Sequence, residues 1–542
     1  MIRFLIIYFL CSPISIYACT NFLITRGATI DSSVMITYAA DNHTFYGELY
    51  FMEPEKYEKE DSLEIYEWDT GKFLGKIKQV SNTYKVVGNI NEFQLAIGET
   101  TYGGRPELQD STAIMDYGSL MYIALKRAKT AREAIKVIDN LVTEYGYYSS
   151  GESFSISDPN EVWIMEIIGK GVGNKGAVWV ARRIPDGYIS GHANQARITS
   201  FPLNDPENCL YHPEVISLAR EKGYFSGADS TFSFSYAYAP LDFGAARFCE
   251  ARVYSGFNKV NSSMKKYEDY AMGHNLENRM PLWVKPDKKL SVQDVIEMMR
   301  DYFQDTPMDM TNDVGAGVNG CIVRWRPLTW EIDSITYFNE RAISTQQTGF
   351  SFIAQSRNWL PDPVGGILWF GVDDTYSTVY TPMFCGISEV PEEFAAGNGS
   401  IMDFSDNSAF WIFNQVSNLA YTRYNLMIPF IQEKQKALEL SYMSEVKKIE
   451  RNVADMKKHK IEAYITDYSV KAGNKTFTEW KELYRFLFTR FLDGNVKTKR
   501  EVPEGYKYIE PLLEQPGYNE EWYRNLIKTT GDKFLYKGEE TH

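Results

Sequence analysis

The residues that could do covalent chemistry in this 542-residue chain are few: six cysteines and six histidines. The histidines lie scattered at 43, 192, 212, 274, 459 and 542, which leaves little room for a metal site built from imidazoles. No GxSxG elbow, HExxH, CxxC or phosphate-binding loop occurs. Ser262-Ser263-Met264-Lys265 matches the S-x-x-K pattern, but so loose a pattern arises by chance. His43 and His192 could each serve as base to a cysteine. Neither has a specific spacing to one, and a surface or hydrogen-bonded histidine is the commoner case. The informative position is Cys19. If residues 1–18 are removed, its thiol shares a residue with a free α-amine. The unperturbed amine pKa of about 7.7–8.0 lies close to the thiol's value of about 8.5. Such an amine can take the thiol proton directly or through a water, so a nucleophile of this kind needs no histidine.

Residues 1–18 have the layout of a secretory signal. Arg3 is their only charge, residues 4–11 are apolar, and a more polar stretch ends at Ile16-Tyr17-Ala18. The apolar run is far shorter than the roughly 20 residues needed to cross a bilayer. Small Ala18 suits cleavage before Cys19. Two outcomes follow from that boundary. Plain cleavage gives a secreted or periplasmic protein with a free Cys19. Processing as a bacterial lipoprotein gives a lipid-anchored protein whose acylated amine is no longer a base, although bulky Tyr17 fits that pattern poorly. No later segment is apolar over about 18 uninterrupted residues, so no membrane span is expected in the mature chain.

The elements that must position Cys19 follow from the patterning. Apolar residues make up 44% of the chain and aromatics 15%, enough buried surface to exclude disorder. The formal charge of −14 argues against binding nucleic acid or anionic lipid through bulk charge. Residues 19–25 predict a strand. A turn around Gly27 and Asp31-Ser32-Ser33 leads to a returning strand over 34–39, with Asp41 at its end. A second pair is expected at 86–87 and 95–98, turning over 89–92. Apolar spacing predicts a helix over 114–128, and Thr130 with Glu133 opens another that stops at Gly146. Strands follow at 153–157, 162–168, 178–184 and 188–192. This strands–helices–strands order favours antiparallel sheets with segregated helices, an α+β chain. Ser291 and Asp294 start a helix running to 303. From 405 onward the chain is helical, with a break at Gly473-Asn474 before a piece over 477–492.

Several blocks in fixed order carry a resemblance. They are Cys19-Thr20, Asp31-Ser32-Ser33-Val34-Met35-Ile36 with Asp41, and Gly88-Asn89-Ile90-Asn91-Glu92 with Leu95-Ala96-Ile97-Gly98-Glu99-Thr100-Thr101. Next come residues 127–134, Gly151-Glu152-Ser153-Phe154, His192-Ala193-Asn194-Gln195-Ala196-Arg197-Ile198 and Glu277-Asn278-Arg279-Met280-Pro281-Leu282-Trp283. Together, over roughly 19–430, they resemble the cysteine dipeptidases (the dipeptidase A and secernin group) of the N-terminal-nucleophile hydrolases. Choloylglycine hydrolases and penicillin V acylases are more distant relatives. The resemblance implies a four-layer αββα sandwich with a helical C-terminal extension. The corresponding division is a signal at 1–18, a hydrolase domain at 19–404 and a helical region with a polar tail at 405–542. It implies hydrolysis of a short peptide, most simply a dipeptide, with no metal or organic cofactor and no nucleic-acid partner, and it leaves a homo-oligomer open.

By the same resemblance Cys19 is the nucleophile and Asp41 steadies the N-terminal region. Asn194 supplies an oxyanion donor, Thr101 falls near where a second such donor sits in the bile-acid branch, and Arg252, or Arg247 in its place, is a site arginine. Tyr38 departs from the pattern, since many relatives carry arginine three residues before the aspartate. Two other functions remain: a non-peptide amidase or acyltransferase on this fold, and a non-catalytic binding protein anchored through Cys19. Cys11 would leave with the signal. In an exported chain the remaining Cys209, Cys249, Cys321 and Cys385 could form two disulfides in three ways.

Overall fold

The computed structural model describes residues 19–536. The predicted signal peptide lies outside the described residues. Two antiparallel sheets carry the fold. The first has seven strands in the spatial order Trp283–Val284, Ile189–His192, Asn21–Ile24, Val34–Asp41, Thr348–Ser356, Ile367–Val372 and Thr381–Phe384. The second has eight, with Ala96–Gly103, Gly151–Ser157, Val162–Gly169 and Ala177–Arg183 as adjacent long strands.

The N-terminal hairpin forms as its residue types require. Asp31 accepts from the Ser33 amide (3.1 Å) and hydroxyl (2.7 Å), and Ser32 takes the left-handed φ of 61° that turns the chain. The strands then pair Leu23 with Ile36, and Thr20 bridges Ala39. Every residue of Val34–Asp41, Gly151–Ser157 and Val162–Gly169 is buried. Both faces of these strands are covered, so their polar residues, Thr37, Asp41, Glu152 and Glu166 among them, are buried as well.

One face of each sheet meets the other sheet. Imidazole atoms of His192, in the seven-stranded sheet, sit 2.7 Å from the Thr100 and Ser155 hydroxyls of the eight-stranded sheet. Gly98 lets the sheets approach here, since a Cβ at that position would fall 2.8 Å from the Asn21 amide nitrogen. Helices Tyr117–Arg127 and Ala131–Tyr145 pack on the eight-stranded sheet, and Ala409–Thr422 and Lys458–Arg490 on the seven-stranded one. The Thr130 hydroxyl caps its helix by accepting from the Glu133 amide, and Gly146 ends it with φ 81°. Caps of this kind contribute about 1 kcal/mol.

Four boundaries differ from the sequence expectation. Val86–Val87 turns at once through Gly88 (φ 55°) to pair with Ile90–Asn91, because the Asn91 carboxamide accepts from the Phe93 and Leu95 amides and builds a second turn. The helix expected from 114 starts at Tyr117, capped by Asp116, while Met115 bridges Tyr147. The Ser291 capping box forms, but the helix stops at Met299, where Asp301 accepts from the Phe303 amide and Phe303 takes φ 69°. No break occurs at 473. Lys458–Arg490 is one helix, and Gly473 sits where a Cβ would lie 2.2 Å from Pro391 Cγ. That glycine serves close packing and does not end the helix.

The disulfide expectation is also corrected. Cys209, Cys249, Cys321 and Cys385 are all free thiols, as is Cys19. Among the described residues no helix is long and apolar enough to cross a membrane.

Candidate active site

The site grows from the first described residue. The Thr20–Ala39 bridge fixes the start of the hairpin, which leaves the Cys19 side chain in the space between the two sheets, 3% exposed. Its sulfur lies 3.8 Å from both the Tyr38 hydroxyl and Glu99 Oε1. Burial pushes the thiol pKa well up, and the Glu99 and Asp41 carboxyls push it further. The Asp41 backbone N–H and the Tyr38 hydroxyl pull the other way. At rest the thiol therefore holds its proton.

Arg252 gathers the surrounding strands. A π-helical turn, Ala245–Glu250, leads into the helix Ala251–Val260 that carries it. Nη1 donates to the Cys19 carbonyl (2.6 Å) and the Thr20 hydroxyl (2.8 Å). Nη2 donates to the Ala193 carbonyl (3.0 Å) and Asn194 Oδ1 (2.8 Å), and Nε to the Phe248 carbonyl (2.8 Å). A planar guanidinium fork with five donors can hold three segments this way, whereas an ammonium cannot. Asn194 adopts φ 64°, a conformation that asparagine tolerates better than most residues, and its Nδ2 donates to the Thr101 carbonyl (2.7 Å).

The hydrogen bonds then return to the thiol. Thr101 Oγ1 donates to Glu152 Oε2 (2.9 Å), the Glu152 carboxyl hydrogen-bonds Glu99, and the Tyr38 hydroxyl donates to Glu99 Oε1 (2.5 Å). Glu99 and Glu152 are both fully buried and burial raises both pKa values, Glu152 the more strongly because the Glu99 charge faces it. Two hydrogen-bonded carboxyls in one buried site oppose each other's ionisation, so the pair resists losing its second proton. Close by, the Tyr117 hydroxyl donates to Asp69 (2.9 Å), whose pKa burial lifts to about 7.

A thiol nucleophile candidate, one arginine fork and a buried acid pair thus close a ring. A protein-family comparison matches residues 18–437 to the peptidase family C69 model. The chain belongs to peptidase family C69. The match runs from the site's first residues into the long helix Tyr424–Ala454. The C69 chain is 24% identical over 453 residues to a probable dipeptidase of Latilactobacillus sakei, covering 78% of this chain and 85% of that protein. It is 21% identical over 457 residues to a probable dipeptidase B of Streptococcus pyogenes serotype M1, covering 81% and 86%. A probable dipeptidase B of Lactococcus lactis shares 21% over 485 residues, covering 86% and 94%.

Among the residues picked from the C69 sequence, Cys19, Arg252, Asn194 and Thr101 come together. The Thr101 side chain turns to Glu152, and it is the Thr101 carbonyl that meets Asn194. Asp41 ends its strand with Oδ1 accepting from Thr348 (2.7 Å) and Oδ2 pairing with Arg341 (3.1 Å). Burial lifts its pKa to about 6 against both partners. Arg247 lies elsewhere, in an ion pair with Glu340. His192 has both nitrogens on hydroxyls and is pushed down to about 3 by burial and by Arg197, so it stays neutral and joins the sheets. Ser262 and Lys265 of the S-x-x-K match are exposed, in a short turn that Asn261 caps by accepting from the Ser263 amide and hydroxyl. The sequence assigned no role to Glu99 or Glu152. Their one signal is a carboxylate inside an otherwise apolar or hydroxyl-bearing strand.

Proposed function

We propose that this protein is an exported cysteine dipeptidase with Cys19 as N-terminal nucleophile. The observation that carries this reading is the convergence of Tyr38, Glu99 and Arg252 on the residue that loss of 1–18 would make the first. In the unprocessed chain the Cys19 nitrogen is an amide and cannot accept a proton. Cleavage before it creates the base. The amine takes the thiol proton, the sulfur attacks the peptide carbonyl, and the resulting ammonium returns the proton to the leaving amine. The thioester is then opened by water, whose proton goes to the same amine, and the first amino acid leaves as its carboxylate.

Asn194 has a second Nδ2 hydrogen beyond the one given to Thr101, and this is our candidate donor to the oxyanion. Donors of this type contribute roughly 2.7–4 kcal/mol. Arg252 acts as a positioning residue through Cys19 and Asn194, and Asp41 through the end of the hairpin. The facing antiparallel sheets with helices packed on each support the four-layer N-terminal-nucleophile architecture. The burial of the Cys19 sulfur weighs against a lipid anchor, because a diacylglyceryl group on it would have to displace Tyr38 and Glu99.

Intact-mass and N-terminal analysis of the exported protein tests the reading together with Cys19→Ala. The expected result is a free Cys19 at the N-terminus and loss of dipeptide hydrolysis in the variant. An acylated Cys19, or an active Cys19→Ala protein, would overturn it.

A further inference from the structure

In the unprocessed chain the carboxyl pair beside the nucleophile has no counter-charge among the described residues. Glu99 receives hydrogen bonds from Tyr38, Glu152 and the thiol, and Glu152 from Thr101. The other oxygens, Glu99 Oε2 and Glu152 Oε1, are buried and receive no N–H or O–H from any other group. Among the described residues neither carboxyl forms an ion pair, although twenty-four ion pairs occur elsewhere. A buried anion without a cation is costly. This one also opposes thiolate formation on Cys19. A carboxylate that hinders the nucleophile in the empty site is explained if the substrate brings the missing cation.

We propose that Glu99, held by Tyr38 and Glu152, is the receptor for the free α-ammonium of the substrate's first residue. The proposal rests on the dipeptidase reading and adds the substrate feature that the site selects. The distances suit it. A carbonyl carbon poised for attack sits roughly 3–3.5 Å from sulfur. Standard backbone dimensions put the α-nitrogen of the same residue about 2.5 Å from that carbon. A charge-assisted bond to carboxylate oxygen spans about 2.7–2.9 Å. An oxygen 3.8 Å from the sulfur closes that quadrilateral without strain.

The same geometry acts as a ruler. One more residue ahead of the scissile bond moves the ammonium away by roughly 3.3–3.8 Å, beyond reach of Glu99. The site then releases single N-terminal residues and rejects N-acylated peptides. The ammonium also cancels the charge that holds the thiol protonated, so the correct substrate readies its own nucleophile.

The test compares an unblocked dipeptide, its N-acetyl form and the analogue with a hydroxyl in place of the amine. The purified protein should favour the unblocked peptide at least a hundredfold in kcat/KM. Glu99→Gln should lose at least tenfold on that substrate, mainly through KM, with no matching loss on the other two, so that the preference for the unblocked peptide collapses. Equal losses on all three would instead make Glu99 the partner of the Cys19 amine and overturn the proposal, as would a wild type that cleaves the N-acetyl form equally well. Alkylation of Cys19 by iodoacetamide, mapped by peptide mass, gives a readout free of turnover and of the variant's folding. Alaninamide should protect the wild-type thiol and N-acetylalaninamide should not; equal protection, or none, sinks the idea. A protein protected by alaninamide that cleaves no peptide keeps the ammonium site and loses the dipeptidase reading. Peptide cleavage without amine preference does the reverse.

Discussion

Arg252 shows how one side chain can organise a site that it need not enter. Its five hydrogen bonds tie the Cys19 carbonyl, the turn at Ala193-Asn194 and its own helix into one arrangement. Arg252→Lys keeps the charge and loses the fork. Because misplacement by about 1 Å can cost on the order of a hundredfold in rate, the expected outcome is a fall of that size in kcat with little change in KM, read by steady-state kinetics on a dipeptide. Unchanged kcat would remove Arg252 from its positioning role. Cys19 is legible in the sequence from its place behind a signal-like segment, and Asp41 and Asn194 from ordered blocks, whereas the choice of Arg252 over Arg247 needs the structure. The Glu99–Glu152 pair is not legible, because its hydrogen bond depends on two strands lying side by side. Thr101 paired with Glu152 and Thr100 with Ser153 set that register, which no local pattern encodes.

At the scale of elements, local chemistry was readable wherever it is self-contained. The Asp31 turn, the Thr130 cap and the Ser291 capping box each draw partners from within four residues, and each forms. The reading failed where a distant surface decides. Gly473-Asn474 looks like a helix break by propensity, yet packing against the Pro391 ring keeps Lys458–Arg490 continuous. Gly473→Ala would ordinarily favour a helix by about 1 kcal/mol. Here the added methyl meets the proline ring, and overpacking of this kind typically costs about 1–3 kcal/mol. Urea unfolding should therefore show a lower midpoint for Gly473→Ala with an unchanged slope. A raised midpoint would mean that the helix does not rest on Pro391.

The whole molecule should respond to pH in a direction set by its buried acids. Burial raises Asp41 to about 6 and Asp69, Glu166 and Asp373 to about 7. Between the ordinary carboxylate range near 4 and these values, the folded protein holds protons that the unfolded chain has released. This contribution is complete below about pH 4 and is lost as pH rises through about 6–7. His192, pushed down to about 3, acts oppositely below its ordinary value of about 6.5, as do His43 and His212, which burial also lowers, but the raised acids, with Asp116, Asp301, Glu340, Asp374 and Glu439 added to the four, outnumber them. The net charge of −14 adds repulsion in the same direction as the acids. Calorimetry should accordingly give a higher Tm at pH 5.5 than at pH 8; the reverse order would mean that these carboxyls are ionised in the folded state. The facing of the two sheets is accessible from the sequence only through the family resemblance, since strand order alone does not say which faces meet. The five separate thiols give the molecule one further property. With no cross-link among the described residues, the fold has nothing for a reductant to break and no oxidase to wait for. It can fold under reducing or oxidising conditions alike, and Cys19 stays available as a thiol in the first.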